Sequence, residues 1–305
     1  MRTRPVRWVV AATAVVALLT GYESKVPGAP TGRSPQPRPD VVAPSGQETD
    51  PPDAPLAEPA VAWDGLSTRI RAATNEAAAD GAVISVAVLD RATGQVASNG
   101  RDRLVGIASV AKLFIADDLL LRQAQGKVDL SPQDRQALDV MLSASDDGAA
   151  ERFWNQRGAQ AVIAEVARRY GLTSTTPPHD GRWWNTMSSA TDLLRYYDML
   201  LSGSGGLPPE QADVIVGDLA RSTPTGADGY PQRFGIPDGL PSEPVAVKQG
   251  WMCCIGQDWM HLSTGVIGAD RRYVMVIESL QPSDDATARA TITRAVRTIF
   301  PTGEL

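Results

Sequence analysis

The chain has 305 residues, a formal net charge of −6 and a pI near 5.1. The folded part holds no run of basic residues, so the charge pattern of a nucleic-acid-binding protein is missing and we expect no nucleic-acid partner. An N-terminal leader and a linker leave roughly 240 residues, which suit one large α/β domain better than two small ones.

The first 22 residues predict an export signal. Arginines at positions 2, 4 and 7 precede an apolar stretch at 8–19, which is too short to span a bilayer comfortably. The stretch ends in a lipobox-like Leu-Thr-Gly-Tyr, in which Tyr22 stands in the place of the lipid-accepting cysteine. We expect an exported protein at the cell envelope, on the outer face of the cytoplasmic membrane or in a periplasm-like space. Without the thiol, cleavage elsewhere and retention as a weak membrane tether both stay open.

Residues 23–63 predict a linker. Their proline-rich composition, with glycine, serine and scattered charge, cannot bury a core and stays extended. Such a segment either holds a domain away from a membrane surface or is a plain disordered tail, and the composition fits both. The folded domain is expected at residues 64–305.

The first elements of this domain are a helix and a hairpin. Apolar residues in 64–79 recur at spacings of four, three and four, which places one stripe on a helix. An apolar run at 82–89 and a shorter run at 95–98 flank a turn that contains Gly94, and this pattern predicts a β-hairpin.

The other end of the domain predicts more strands. Residues 244–250, 259–268 and 271–280 are β-type segments separated by glycine-containing turns, and Ser283 is expected to cap a last helix. Residues 109–220 between the two β regions are mostly helical in pattern, with one helix expected over 148–170. The fold class is therefore α/β, a five-stranded antiparallel sheet flanked by helices, with an inserted helical subdomain.

The chain has two cysteines, Cys253 and Cys254. Adjacent cysteines do not frame a disulfide scaffold and do not match zinc-ligand spacing, so we expect no metal and no cofactor. The apolar surroundings at 251–255 favour packing inside the fold over a vicinal disulfide.

Three short motifs follow one another along the chain. They are Ser109-Val-Ala-Lys112, Ser145-Asp-Asp147 and Lys248-Gln-Gly250. Only four of the 29 basic residues are lysines, and two of the four lie in these motifs. A lysine amine can lose its proton whereas a guanidinium cannot, so this choice indicates proton transfer.

The motifs resemble the S-x-x-K, S-D-N and K-T-G series of class A β-lactamases and penicillin-binding proteins. Longer runs at 108–114, 145–154 and 248–254 strengthen the resemblance and narrow it to alanine-rich lipoproteins of actinobacteria. The likeness covers about residues 66–300 and implies a β-lactamase/transpeptidase-like fold.

The resemblance implies a role for each motif residue. Ser109 would be the acyl-accepting nucleophile and Lys112 its base or proton relay. Ser145 would carry a proton to the leaving nitrogen, while Lys248 would orient Ser145 and attract a substrate carboxylate. In isolation, Ser109 and the Ser145 motif are also compatible with ordinary helix caps.

Substrate binding would fall to Asp147, Gln249, Gly250 and Trp251. Backbone N–H groups of Ser109 and Trp251 would form the oxyanion hole. Asp147, however, replaces the family's Asn, and a carboxylate near Lys112 would stabilise its ammonium form and make it a poorer base. Gln249 replaces a Thr or Ser whose hydroxyl binds the substrate carboxylate in the family.

Turnover would also need a base that activates water. The family places a glutamate on a loop before the next helix, but no Glu occurs between Glu165 and Glu210. His179 and Asp180 are candidates in its place, against the simpler interpretation of a solvated turn. Trp183 and Trp184 would either pack this loop or line the cleft and stack on a sugar.

Two functions remain open from the sequence, ahead of a third, a purely structural envelope lipoprotein. The first is a monomeric serine acyl-transfer enzyme that reacts slowly with β-lactams or D-alanyl peptidoglycan stems. The second is a catalytically degenerate relative that binds an envelope partner through the same cleft.

Overall fold

The computed structural model describes residues 63–156 and 158–305. The predicted export signal and almost all of the predicted linker lie outside these residues. Within the described residues, one antiparallel sheet has five strands, β1 (Val83–Asp90), β2 (Gln95–Ser98), β5 (Val245–Ile255), β6 (Asp258–Ile267) and β7 (Tyr273–Gln281). Their order across the sheet is β2-β1-β7-β6-β5.

The sheet has a different helical layer on each face, because successive side chains of a strand point to opposite faces. In β1, Val86 and Val88 face the core beneath helices α1 (Trp63–Ala79) and α9 (Asp285–Ile299). The alternate residues Ala87 and Leu89 face the larger core, which belongs to the inserted subdomain.

The inserted subdomain is helical, as the sequence predicts. It contains α2 (Lys112–Ala124), α3 (Pro132–Ser143), α4 (Asp147–Gln156), α5 (Gln160–Tyr170), α6 (Ala190–Ser202) and α7 (Pro209–Ala220). Short strands β3 (Val105–Gly106) and β4 (Met187–Ser188) pair beside it, and the short helix α8 (Ile236–Gly239) leads back to the sheet. None of the helices in the described residues is both long and apolar enough to cross a membrane.

A buried carboxylate fixes α2, the helix on which the first motif ends. Asp117 is fully buried and accepts hydrogen bonds from Arg169, Tyr170 and Tyr196. These partners come from α5 and α6, so α2 is held from two sides. A buried carboxylate needs such partners, because desolvation of its charge is otherwise costly.

Three local predictions are wrong. The helix expected over 148–170 is divided into α4 and α5, with Gly158 at φ 91° between them. The cap of α9 is Asp284, whose side chain accepts the Thr287 N–H, and not Ser283. Strand β5 continues through Gly250 to Ile255 instead of ending at the glycine.

Candidate active site

Ser109 and Lys112 lie where a 3₁₀ turn, Ala108–Ala111, enters α2. The Lys112 Nζ atom is 2.8 Å from Ser109 Oγ. Ala108 has φ 46°, a left-handed conformation that is unfavourable for a side chain with a Cβ and that indicates a strongly constrained turn. Ser109 is 7% exposed and Lys112 is fully buried, so the contact between the hydroxyl and the amine is largely shielded from solvent.

Ser145 connects the first motif to the third. Its φ of 56° is also left-handed. Its carbonyl oxygen accepts a hydrogen bond from Lys112 Nζ at 2.6 Å, and its hydroxyl oxygen lies 3.1 Å from the same nitrogen. Lys248 Nζ donates to the same hydroxyl at 2.8 Å. The Ser145 hydroxyl therefore bridges two buried amines.

Strand β5 lies against the turn that carries Ser109, and Gly250 makes this approach feasible. A Cβ atom on Gly250 would lie 2.6 Å from the Ile107 carbonyl oxygen and 3.3 Å from Val110 Cγ2. The first distance is far below van der Waals contact, so any larger residue would push β5 and Lys248 away from Ser109.

The pKa values of both lysines are lowered in the fold. Burial lowers the pKa of Lys112, and the Asp147 carboxylate at 2.6 Å opposes that lowering. Burial, followed by repulsion from Lys112, holds the pKa of Lys248 well below its usual range. Of the two amines, Lys112 beside Asp147 therefore keeps its proton more readily than Lys248 does.

Gln249 lies on the other face of β5. Its Nε2 donates to the carbonyl oxygens of Gln232 at 3.0 Å and Phe234 at 2.6 Å, and the side chain is buried. Trp251 is half-buried and stacks on Tyr230, with ring centroids 4.4 Å apart. The expectation that Gln249 and Trp251 contact a ligand stays a prediction.

A loop that the sequence analysis did not single out connects the second and third motifs. In this loop, residues 223–232, the Ala227 N–H donates to the Ala144 carbonyl at 2.7 Å, directly before Ser145. Asp228 Oδ1 accepts the Tyr230 N–H at 3.0 Å, and Tyr230 in turn supports Trp251. The two glycines and two prolines of this loop indicate a turn, but no sequence pattern shows which part of the fold the loop contacts.

The loop proposed to supply a water-activating base has another arrangement. His179 and Asp180 are exposed, and Asp180 accepts hydrogen bonds from the Arg182 N–H at 3.1 Å and Asn185 Nδ2 at 2.8 Å. This geometry is that of a self-supporting turn.

The two tryptophans of this loop differ in exposure. Trp183 is 2% exposed, its Nε1 donates to Glu151 at 3.2 Å, and its ring centroid lies 4.8 Å from Lys112 Nζ. Trp184 is partly buried and packs edge-on against Trp183. Trp183 therefore packs the loop and also forms a wall of the Lys112 site.

The prediction that Cys253 and Cys254 pack as free thiols inside the fold is wrong. They form a vicinal disulfide, and both residues are exposed. They lie where the β5–β6 register shifts between Met252 and Ile255, near the end of the hairpin. Among the residues that the structure describes, no group of three or more His, Cys, Asp or Glu side chains could hold a metal ion.

The sheet, the inserted helical subdomain and the Ser-Lys-Ser-Lys cluster define a protein of the β-lactamase/transpeptidase fold. A β-lactamase from Chitinophaga pinensis superposes with a TM-score of 0.63 at 16% identity, over 78% of this chain and 100% of that one. A variant of PBP-A, solved as an acyl-enzyme with penicillin G, gives a TM-score of 0.63 at 18% identity, over 78% and 96% of the two chains. At these identities the likeness shows the fold alone.

A nearer relationship comes from sequence. The protein named lipoprotein LppW in Mycobacterium tuberculosis is 73% identical over 255 residues, which are 84% of this chain and 81% of that protein. Its namesake in Mycobacterium bovis matches equally well. The chain belongs to the LppW lipoprotein family, which confirms the narrower resemblance. No protein-family model matches the chain.

Proposed function

We propose that this protein is exported to the cell envelope and that Ser109 accepts acyl groups from β-lactams or D-alanyl peptidoglycan stems and releases them slowly. The observation that carries the proposal is the continuous contact chain from Ser109 through Lys112 and Ser145 to Lys248, at 2.8, 3.1 and 2.8 Å. The lipoprotein name of its relatives supports the compartment.

The contact chain fits one reaction sequence. Ser109 Oγ attacks the carbonyl carbon while its proton moves to the neutral amine of Lys112. The scissile C–N bond then breaks, and Ser145 delivers a proton to the leaving nitrogen, replaced in turn from a neighbouring lysine. The product is an ester of Ser109.

Slow release follows from the loop before α6. Hydrolysis of the ester needs a base that removes a proton from water. Between Glu165 and Glu210 the chain has no glutamate, and Asp180 is engaged by its own turn. The acyl-enzyme should therefore persist.

One observation favours a second function, ligand binding without chemistry. Asp147 lies 2.6 Å from Lys112 Nζ and stabilises the ammonium form, which cannot accept the Ser109 proton. A cleft with this charge state could bind a stem or glycan without cleaving it.

Intact-protein mass after incubation with a fluorescent penicillin separates the two. The first function predicts a persistent adduct that is lost in Ser109→Ala and kept in Ser202→Ala, a surface serine control. Binding without any adduct would support the second function. Rapid multiple-turnover hydrolysis of a chromogenic cephalosporin would contradict slow release.

A further inference from the structure

The two lysines of the candidate site offer little charge to a ligand. Lys112 and Lys248 are at most 1% exposed. The Lys112 ammonium is surrounded by Ser109, Ser145 and Asp147, and Lys248 donates to Ser145. An incoming anion would have to displace these partners before it reached either nitrogen.

Two exposed carboxylates lie at the surface of the site. The side chain of Asp147 is 69% exposed, and Asp228 is also exposed. Burial lowers the pKa of both lysines, and the carboxylates of Asp147 and Asp228 oppose that lowering at both, so both carboxylates lie within electrostatic reach of the two amines. Asp146 adds a third carboxylate near Lys112.

Asp228 is a fixed part of this surface. Its Oδ1 holds the Tyr230 N–H at 3.0 Å, and the preceding residue, Ala227, is bonded to the Ala144 carbonyl at 2.7 Å. The first hydrogen bond holds the carboxylate against its own loop, and the second holds loop 223–232 against the Ser145 segment.

Two side-chain donors that would offset these carboxylates are already engaged. The Gln249 amide nitrogen donates to two backbone carbonyls beneath the strand. Arg289, which lies over the Tyr230 ring, directs both Nε and Nη2 at Oδ2 of Asp285.

From this arrangement we infer that the cleft selects acyl donors without a free carboxylate on the carbon bonded to the scissile nitrogen, such as an esterified β-lactam or a stem peptide with an amidated terminus. Asp147 and Asp228 are the specificity-determining residues, because each repels a carboxylate placed between them and Ser109. The inference rests on the proposed function for its chemistry, but the preference itself concerns binding.

Benzylpenicillin and its methyl ester form a matched pair for the test, since they differ in one charge and share the same reactive ring. Intact mass gives their acylation rates on the parent protein, and ligand-observed NMR gives their affinities for Ser109→Ala. We expect the ester to react and to bind about tenfold better than the acid, and added salt to reduce that ratio.

Asp228→Asn should reduce the ester-to-acid ratio at least threefold, roughly the effect of one partly screened charge. The amide keeps the oxygen that accepts the Tyr230 N–H. Asp213→Asn, the same change in a surface ion pair with Arg271, should leave the ratio unchanged. Use of a ratio cancels any general effect of a variant on Ser109.

Each outcome decides the matter. Equal or tighter binding of the free acid, a ratio unmoved by Asp228→Asn, or binding of neither compound to Ser109→Ala overturns the inference. If Ser109→Ala binds the ester preferentially and the parent forms no adduct, the inference stands while the proposed acyl transfer fails.

Discussion

Asp147→Asn tests whether the carboxylate beside Lys112 limits the reactivity of Ser109. The ammonium form of Lys112 loses a favourable partner at 2.6 Å in this variant, so its pKa should fall below that of the parent. At a fixed pH below that pKa, a larger fraction of the amine is then neutral and able to accept the serine proton.

The size of the effect follows from exposure. Because the Asp147 side chain is 69% exposed, solvent screens the pair. Such pairs contribute about 0.2–1 kcal/mol. At about 1.4 kcal/mol for each factor of ten, the neutral fraction and the acylation rate should rise about 1.4-fold to 5-fold.

The assay is the acylation rate constant as a function of pH, followed by intact mass. The rising limb of the profile should move to lower pH in Asp147→Asn and stay near its parent position in Asp147→Glu. Asp213→Asn, on a distant surface, should leave both rate and profile unchanged. A limb that stays in place or moves to higher pH, or a lower rate in a correctly folded variant, would refute the reasoning.

Three further expectations concern the packing, the core and the leader. Gly250→Ala should cost about 1–3 kcal/mol of unfolding free energy because its Cβ meets the Ile107 carbonyl, whereas the helical control Gly217→Ala stays within about 1 kcal/mol of the parent; equal denaturation midpoints would contradict this contact. Burial raises the pKa of Glu278 to about 7. The contribution of Glu278 to the free energy of unfolding is therefore complete below its usual pKa of 4.5 and is lost as the pH rises through 7. The unfolding free energy of the parent should fall by roughly 3 kcal/mol over that pH range, and that of Glu278→Gln should fall much less. Urea denaturation that gives the same fall for both proteins would contradict this. Tyr22→Cys should move the exported protein into the detergent phase through a cysteine-linked lipid, and lipid-modified peptides from the unaltered chain would disprove this prediction.

Much of the fold could be predicted because apolar periodicity is strong at both ends of the domain. The helix expected at 64–79 is α1, at 63–79, and the runs at 82–89 and 95–98 are β1 and β2. The sequence misplaced features that depend on distant contacts. A glycine such as Gly250 is typical of a strand end, yet in β5 its missing side chain lets the strand lie close to the Ile107 carbonyl.

The candidate site could be predicted only in part. Motif order identified Ser109, Lys112, Ser145 and Lys248, which the structure brings into contact, while their chemical roles stay predictions. Asp228 was missed because its position depends on a backbone hydrogen bond from its loop to Ala144, which no local pattern encodes. The two cysteines were misjudged because apolar neighbours in a strand do not reveal a register shift at a hairpin end.

The order of the strands constrains when this domain can form. Strand β1 lies between β2 and β7, and the ion pair between Asp90 and Arg272 joins residues 182 positions apart. During synthesis the early hairpin must therefore wait, with one edge unpaired, until nearly the whole chain has emerged. Closure of so long a loop is slow, and an open strand edge invites pairing with other chains. We expect this protein to depend most on chaperones in that interval. A chain truncated before β7 would leave the β1–β2 hairpin without the rest of its sheet.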